Sequence, residues 1–260
     1  MMRALNTAAS GMAAQQTNVD VIANNLANVN TTGFKRSRAE FQDLLYQTIR
    51  APGAPSGDGQ RMPTGLQIGQ GARTVSTSQL HIQGSLQQTG GSLDVAIEGA
   101  GFLQVTRPNG ELAYTRAGNL KSDAEGRLVT ADGYTVDPAI TIPPDSTAVT
   151  ISSTGVVSVT QPGQTAAQEV GQLTLTGFAN PGGLLAIGRS MFVATDASGQ
   201  PIQGRPGDQG LGTLSQGFLE GSNVEVVNEM VDLIASQRAY EVNQRVIQAA
   251  DEMLQRTTQR

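Results

Sequence analysis

Cysteine and tryptophan are absent from all 260 residues. Without cysteine there is no disulfide, no thiolate metal site and no cysteine nucleophile. Aromatic residues make up only 4% and charged residues 15%, and the net charge of −5 provides no basic surface for nucleic acid. Lys35, Arg36 and Arg38 are the one local basic cluster, and a solvated turn after a helix is the expected setting for it. No stretch approaches the roughly 18 consecutive apolar residues of a membrane span. The opening "MMRALNTAASGMAAQQ" has one Arg and no apolar run of the length a cleavable signal peptide needs. Direct membrane insertion and export by that signal are therefore not expected.

Chemistry is sparse too. His81 is the single histidine, and with no Cys and no nearby cluster of carboxylates it cannot complete a zinc site, so an ordinary strand histidine is expected. No G-x-S-x-G elbow marks a nucleophile for it. The glycine pairs at Gly69/Gly71, Gly99/Gly101 and Gly210/Gly212 never extend to G-x-G-x-x-G and read as turn glycines. Asp123, Glu125, Asp132 and Asp137 lie near turns, where side-chain-to-backbone bonding accounts for them. No catalytic, cofactor or metal site emerges, and an enzyme is not expected.

What is present is periodicity. Leu5, Met12, Val19 and Leu26 recur every seven residues, and Ala8, Gln15, Ile22 and Val29 form a second column. The spacing predicts a helix of roughly 25 residues, about 38 Å long. Gly33 is placed to stop it in a left-handed conformation. Asn24, Asn25, Asn28 and Asn30 crowd its last turns, although asparagine weakens a helix interior. An Asn-rich helix with a thin apolar face is marginal alone, so its amides are expected to fix register among packed helices.

The other end repeats the device. Val226, Leu233, Tyr240, Ile247 and Leu254 are each seven apart, and Ser222 with Glu225 has the spacing of a capping box. Between the ends the period falls to two. Turn signals at Gly99–Gly101, Pro108–Gly110, Ala124–Gly126 and Asp132–Gly133 punctuate an all-β domain expected over 92–201, a sandwich or small barrel. The Gly/Pro-rich stretch Tyr46–Ser78 is expected to be extended or looped, and either disordered or ordered by a partner.

The fold class expected is mixed: terminal coiled-coil-like helices packed together on assembly, a central all-β domain and an extended loop region. The boundaries run 1–34 for the first helix, 35–91 for linker and loop, 92–201 for the β domain, 202–221 for a return linker and 222–260 for the second helix. Two heptad helices with little helical material between them pair with each other or with other copies. A β head on a coiled-coil stalk, as in a secreted fibre, fits the same pattern.

Three stretches carry a resemblance. "SGMAAQQTNVDVIANNLANVNTTGFKRSRAEF" (10–41), "DVAIEGAGFLQV" with "YTRAGNLKSDAEGRLVTADGY", and "GFLEGSNVEVVNEMVDLIASQRAYEVNQRVIQAADEML" (217–254) are similar to the signatures of bacterial flagellar rod and hook proteins. The chain looks most like the distal-rod members, with a proximal rod paralogue of similar length as the alternative. The resemblance implies a structural subunit, exported by the flagellar type III apparatus and stacked helically into a hollow, stiff shaft across the periplasm. The terminal helices would line the export channel, and the β domain would face the surrounding ring bushing. Other copies, proximal rod proteins and the hook protein would be its partners. It assigns self-assembly to Leu5, Met12, Val19, Ile22, Asn24, Asn25, Leu26, Asn28, Val226, Leu233, Tyr240, Ile247 and Leu254, and bracing of neighbours to the 46–78 loop.

Overall fold

The computed structural model describes residues 2–53, 55–56, 60–61, 63–163 and 167–258. Helix α1 spans Met2–Ala27 and helix α2 spans Val226–Thr258, with a largely β region between them. The mixed class expected from the change of period is the class observed.

The stop signal of α1 works as its residues suggest. After Ala27 the chain turns, with Thr31 N donating to Asn28 O and Phe34 N to Thr31 O. Gly33 then takes a φ of +67°. A Cβ there would lie 2.7 Å from the nitrogen of Ala117, so both the conformation and the close approach require glycine.

The start of α2 differs from the expected capping box. The Ser222 hydroxyl accepts from Val224 N at 3.3 Å instead of reaching into the helix. Glu225 stands at the helix start, its carbonyl accepting from Glu229 N and its carboxylate from Asn228 Nδ2 at 2.6 Å. The reason is that 222–224 are held elsewhere: the Asn223 side chain accepts from Arg36 N and donates to Leu80 O and Ile82 O.

By its contacts the chain divides into two compact units, one of residues 1–26, 37–78 and 225–260, the other of 27–36 and 79–224. The first holds both helices and a two-stranded ribbon. Strand Ser37–Asp43 pairs with Ala72–Gln79, and Tyr46–Arg50 runs antiparallel to Leu66–Gly69 with a bulge between Thr48 and Arg50. Tyr46 stands opposite Gly69, and a Cβ on that glycine would come within 3.3 Å of the tyrosine ring. Among its described residues the 46–78 stretch is thus extended, pairing partly with itself and partly with Ser37–Asp43. Its positions 54, 57–59 and 62 lie outside the described residues.

The second unit is built around strand Phe102–Thr106, which pairs antiparallel with Leu112–Thr115, Thr135–Asp137 and Leu175–Gly177 in a nine-stranded sheet. Alternation along it serves two faces. Leu103 and Val105 enter a core with Val95, Ile97, Leu128, Val136 and Leu173, while Phe102 packs with Tyr114, Leu184 and Phe192. A three-stranded sheet of Ala148–Ile151, Val156–Thr160 and Gln168–Gln172 supplies Ile151, Val157 and Val159 to the same core. The turns expected at Pro108–Gly110 and Asp132–Gly133 close hairpins in this sheet.

Candidate functional site

Within the helical unit α1 and α2 run antiparallel and meet along a polar seam. Asn25 Nδ2 donates to Glu229 Oε2 at 3.1 Å, and Asn18 Nδ2 donates to Ser236 Oγ at 2.8 Å. A Cβ on Gly11 would lie 3.1 Å from Asn243 Nδ2. Each contact steps back seven residues on α1 and forward seven on α2. Directional bonds at fixed intervals select one register, which a greasy seam would do less sharply. Asn25, Glu229 and Ser236 are buried along this line, with Ala8, Ala14, Ile22 and Ala250.

The residues assigned to assembly fall around that seam. Leu5, Met12, Val19 and Leu26 are half-buried, and Ile22 is buried. On α2, Leu233 and Ile247 are half-buried, whereas Val226, Tyr240 and Leu254 lie 38%, 39% and 37% exposed. Gln16, Val19, Gln237, Tyr240 and Glu241 line a groove of about 400 Å³ between the helices.

A second stripe on α2 escapes the seven-residue column. Val227, Met230, Val231 and Ile234 are 69%, 52%, 60% and 47% exposed. At 100° per residue they lie on the side of α2 turned away from Glu229 and Ser236. Their i, i+3, i+4, i+7 spacing was the available signal.

The asparagines divide in role. Asn25 Oδ1 accepts from Ser37 N at 2.9 Å while its Nδ2 donates to Ser37 O at 2.8 Å, so the amide acts as a piece of backbone for the first strand. Asn28 Oδ1 accepts from the Thr31 hydroxyl, and Asn24 is exposed.

The β unit holds an ion cluster, which corrects the reading of the basic turn. Lys35 is 1% exposed, far from a solvated charge. Its Nζ donates to Glu220 Oε1 at 2.6 Å and to Ile82 O at 2.7 Å. Arg116 Nε donates to Glu220 Oε2 at 2.9 Å, and its Nη2 to Gly99 O at 2.6 Å. Burial lowers the Lys35 pKa, opposed by the hydrogen bond to Glu220.

His81 borders this cluster and is not a strand residue. Its ring meets Phe102 and Phe192 edge-on at 5.5 and 5.2 Å between centroids. Burial, and then the charges of Lys35 and Arg116, push its pKa down to about 4. Among the described residues its Nδ1 has no hydrogen-bond partner. Asp123 behaves as a turn residue, accepting from the Glu125 and Arg127 amides. Among the described residues no group of three or more His, Asp or Glu is placed to hold a metal ion, and no helix is long and apolar enough to cross a membrane.

Three family models match the chain. They are "Flagella basal body rod protein" at residues 5–35, "Flagellar hook protein FlgE/F/G D1 domain" at 96–159, and "Flagellar basal body rod FlgEFG protein C-terminal" at 215–260. The chain is similar to "Flagellar basal-body rod protein FlgG" of Caulobacter vibrioides, 53% identical with 99% of each chain covered. It is 41% identical to the protein of the same name in Bacillus subtilis, over 98% of this chain and 97% of that one. The Bacillus subtilis "Flagellar hook-basal body complex protein FlhP" is 32% identical over the same shares.

Proposed function

This chain belongs to the FlgG family of flagellar basal-body rod proteins, and from that premise we propose that it is the structural subunit of the distal rod. Copies stack helically into a hollow, stiff shaft that surrounds the export channel and carries torque from motor to hook. The proximal rod proteins, the hook protein and the ring bushing are its neighbours. The chain reaches the periplasm unfolded, through the flagellar type III apparatus. It is not an enzyme. Full-length agreement with chains named FlgG favours this assignment over the proximal paralogue.

One observation carries the reading: the apolar stripe of α2 points away from α1. A helix pair joined by amides and hydroxyls, with valine, methionine and isoleucine on its outside, suits packing against further copies. Such head-to-tail contacts build open helical arrays. Leu5, Met12, Val19, Ile22 and Leu26 on α1 and the column Val226, Leu233, Tyr240, Ile247 and Leu254 on α2 flank the seam, and Val226, Tyr240 and Leu254 leave part of their surface open to a neighbouring copy. Asn24, Asn25 and Asn28 hold register. The ribbon exposes Phe41, Leu45, Tyr46 and Ile49 and braces adjacent subunits.

Sedimentation and electron microscopy of the purified chain test this. The wild type is expected to form long tubes at high concentration, and Met230→Glu with Val231→Glu to stay monomeric with an unchanged β-unit near-ultraviolet spectrum. Equal polymerisation of the double variant removes the stripe from the interface. A small closed oligomer in place of tubes supports the stalked-fibre architecture.

A further inference from the structure

Each stretch that carries the chain from one unit to the other passes close to Glu220. The crossings fall at 26/27, 36/37, 78/79 and 224/225, so residues 27–36, 79–84 and 220–224 are the approaches on the β side. The Glu220 carbonyl accepts from Gly33 N at 2.8 Å. Its Oε1 accepts from Lys35 Nζ at 2.6 Å and from Gly84 N at 2.8 Å, and its Oε2 from Arg116 Nε at 2.9 Å. Arg36 and Asn223 repeat the pattern one step on. Arg36 N donates to Asn223 Oδ1 at 2.7 Å, Leu80 N to Arg36 O at 2.9 Å, and Asn223 Nδ2 to Leu80 O at 2.8 Å.

We infer that Glu220 is the fastening through which folding of the β unit fixes the roots of both terminal helices, so that α1 and α2 pair only after this cluster has closed. One fully buried carboxylate serves two buried cations, so its loss strands both. Arg116 belongs to the β sheet region and stays where it is. Lys35 sits on the strap that leads from α1, and that strap is what comes free. A long helix with a polar seam gains little from pairing across open solution. Tethering its root beside that of its partner turns the encounter into an intramolecular one at high effective concentration.

The inference concerns the single chain and stands apart from the rod reading. Hydrogen exchange on the full-length monomer tests it with Glu220→Gln. Protection in strand 102–106 is expected to hold, while residues 2–36 and 226–256 exchange about tenfold faster. Should that variant not fold, Lys35→Met keeps one carboxylate with one cation and an unbranched stem. It is expected to free 2–36 with the core intact. Equal loss of protection in the core and the helices makes Glu220 a general stabiliser and overturns the inference. Unchanged helices overturn it, as do helices already unprotected in the wild-type monomer.

Discussion

His81 is held neutral in a place that would punish its charge. Lys35 and Arg116 face it as cations, Phe102 and Phe192 pack against its ring edge-on, and the Pro181 backbone favours the proton. Its folded pKa of about 4 lies below the ordinary 6.5, so between these values the unfolded chain binds the extra proton. The contribution is whole above pH 6.5 and is lost as pH falls toward 4. Urea unfolding of the β unit is expected to show wild type losing roughly 2–3 kcal/mol more than His81→Phe between pH 7 and pH 4. Parallel pH curves would show that the ring is not buried uncharged. Lys35 illustrates what sequence conceals at this scale. Its partner Glu220 is 185 residues away, and three basic residues after a helix carry no local trace of that pairing. Gly33 was legible because a left-handed helix stop is a local demand.

At the scale of the element, both helices were legible from period alone, but the face each turns to the other was not. Apolar columns draw the eye to Val226, Leu233 and Tyr240, whereas the contact line is Glu229, Ser236 and Asn243. Hydrophobic periodicity cannot reveal a seam made of polar bonds. It also ranks Asn25 as a defect, when the amide joins α1 to the first strand and to α2. Asn25→Ala is therefore expected to cost the helical unit about 2 kcal/mol, because the half-buried Ser37 amide loses its acceptor and the buried Glu229 loses a donor. Asn24→Ala, on the exposed side, should produce a smaller change. Ellipticity at 222 nm during urea titration measures both. An Asn24 effect equal to that of Asn25 would count against the joint. The 46–78 stretch shows the converse limit, since its proline and glycine content reads as loop while Tyr46–Arg50 pairs with Leu66–Gly69 and Ala72–Gln79 with Ser37–Asp43. Cross-strand pairing is a long-range property that composition does not carry.

Across the whole molecule, stability is divided unequally. Among the described residues the β unit gathers 18 buried side chains into one cluster, from Val95 to Leu214. The helical unit leaves Phe41, Tyr46, Val227, Met230 and Val231 largely exposed and relies on a polar seam. Burial is what stabilises a fold at room temperature, so the two units should not melt together. Two optical signals separate them. Helix ellipticity at 222 nm reports α1 and α2. With no tryptophan, near-ultraviolet ellipticity comes chiefly from buried tyrosine, and Tyr114 in the β unit is 2% exposed while Tyr46 and Tyr240 are open to solvent. In the monomer the 222 nm signal is expected to fall at a lower urea concentration than the near-ultraviolet signal. On the proposed packing, in which neighbours cover the apolar stripe, the helical transition in filaments should rise toward the β one by mass action. Coincident transitions in the monomer would mean the helices already share the β unit's cooperativity, and assembly would then add contacts without completing the fold.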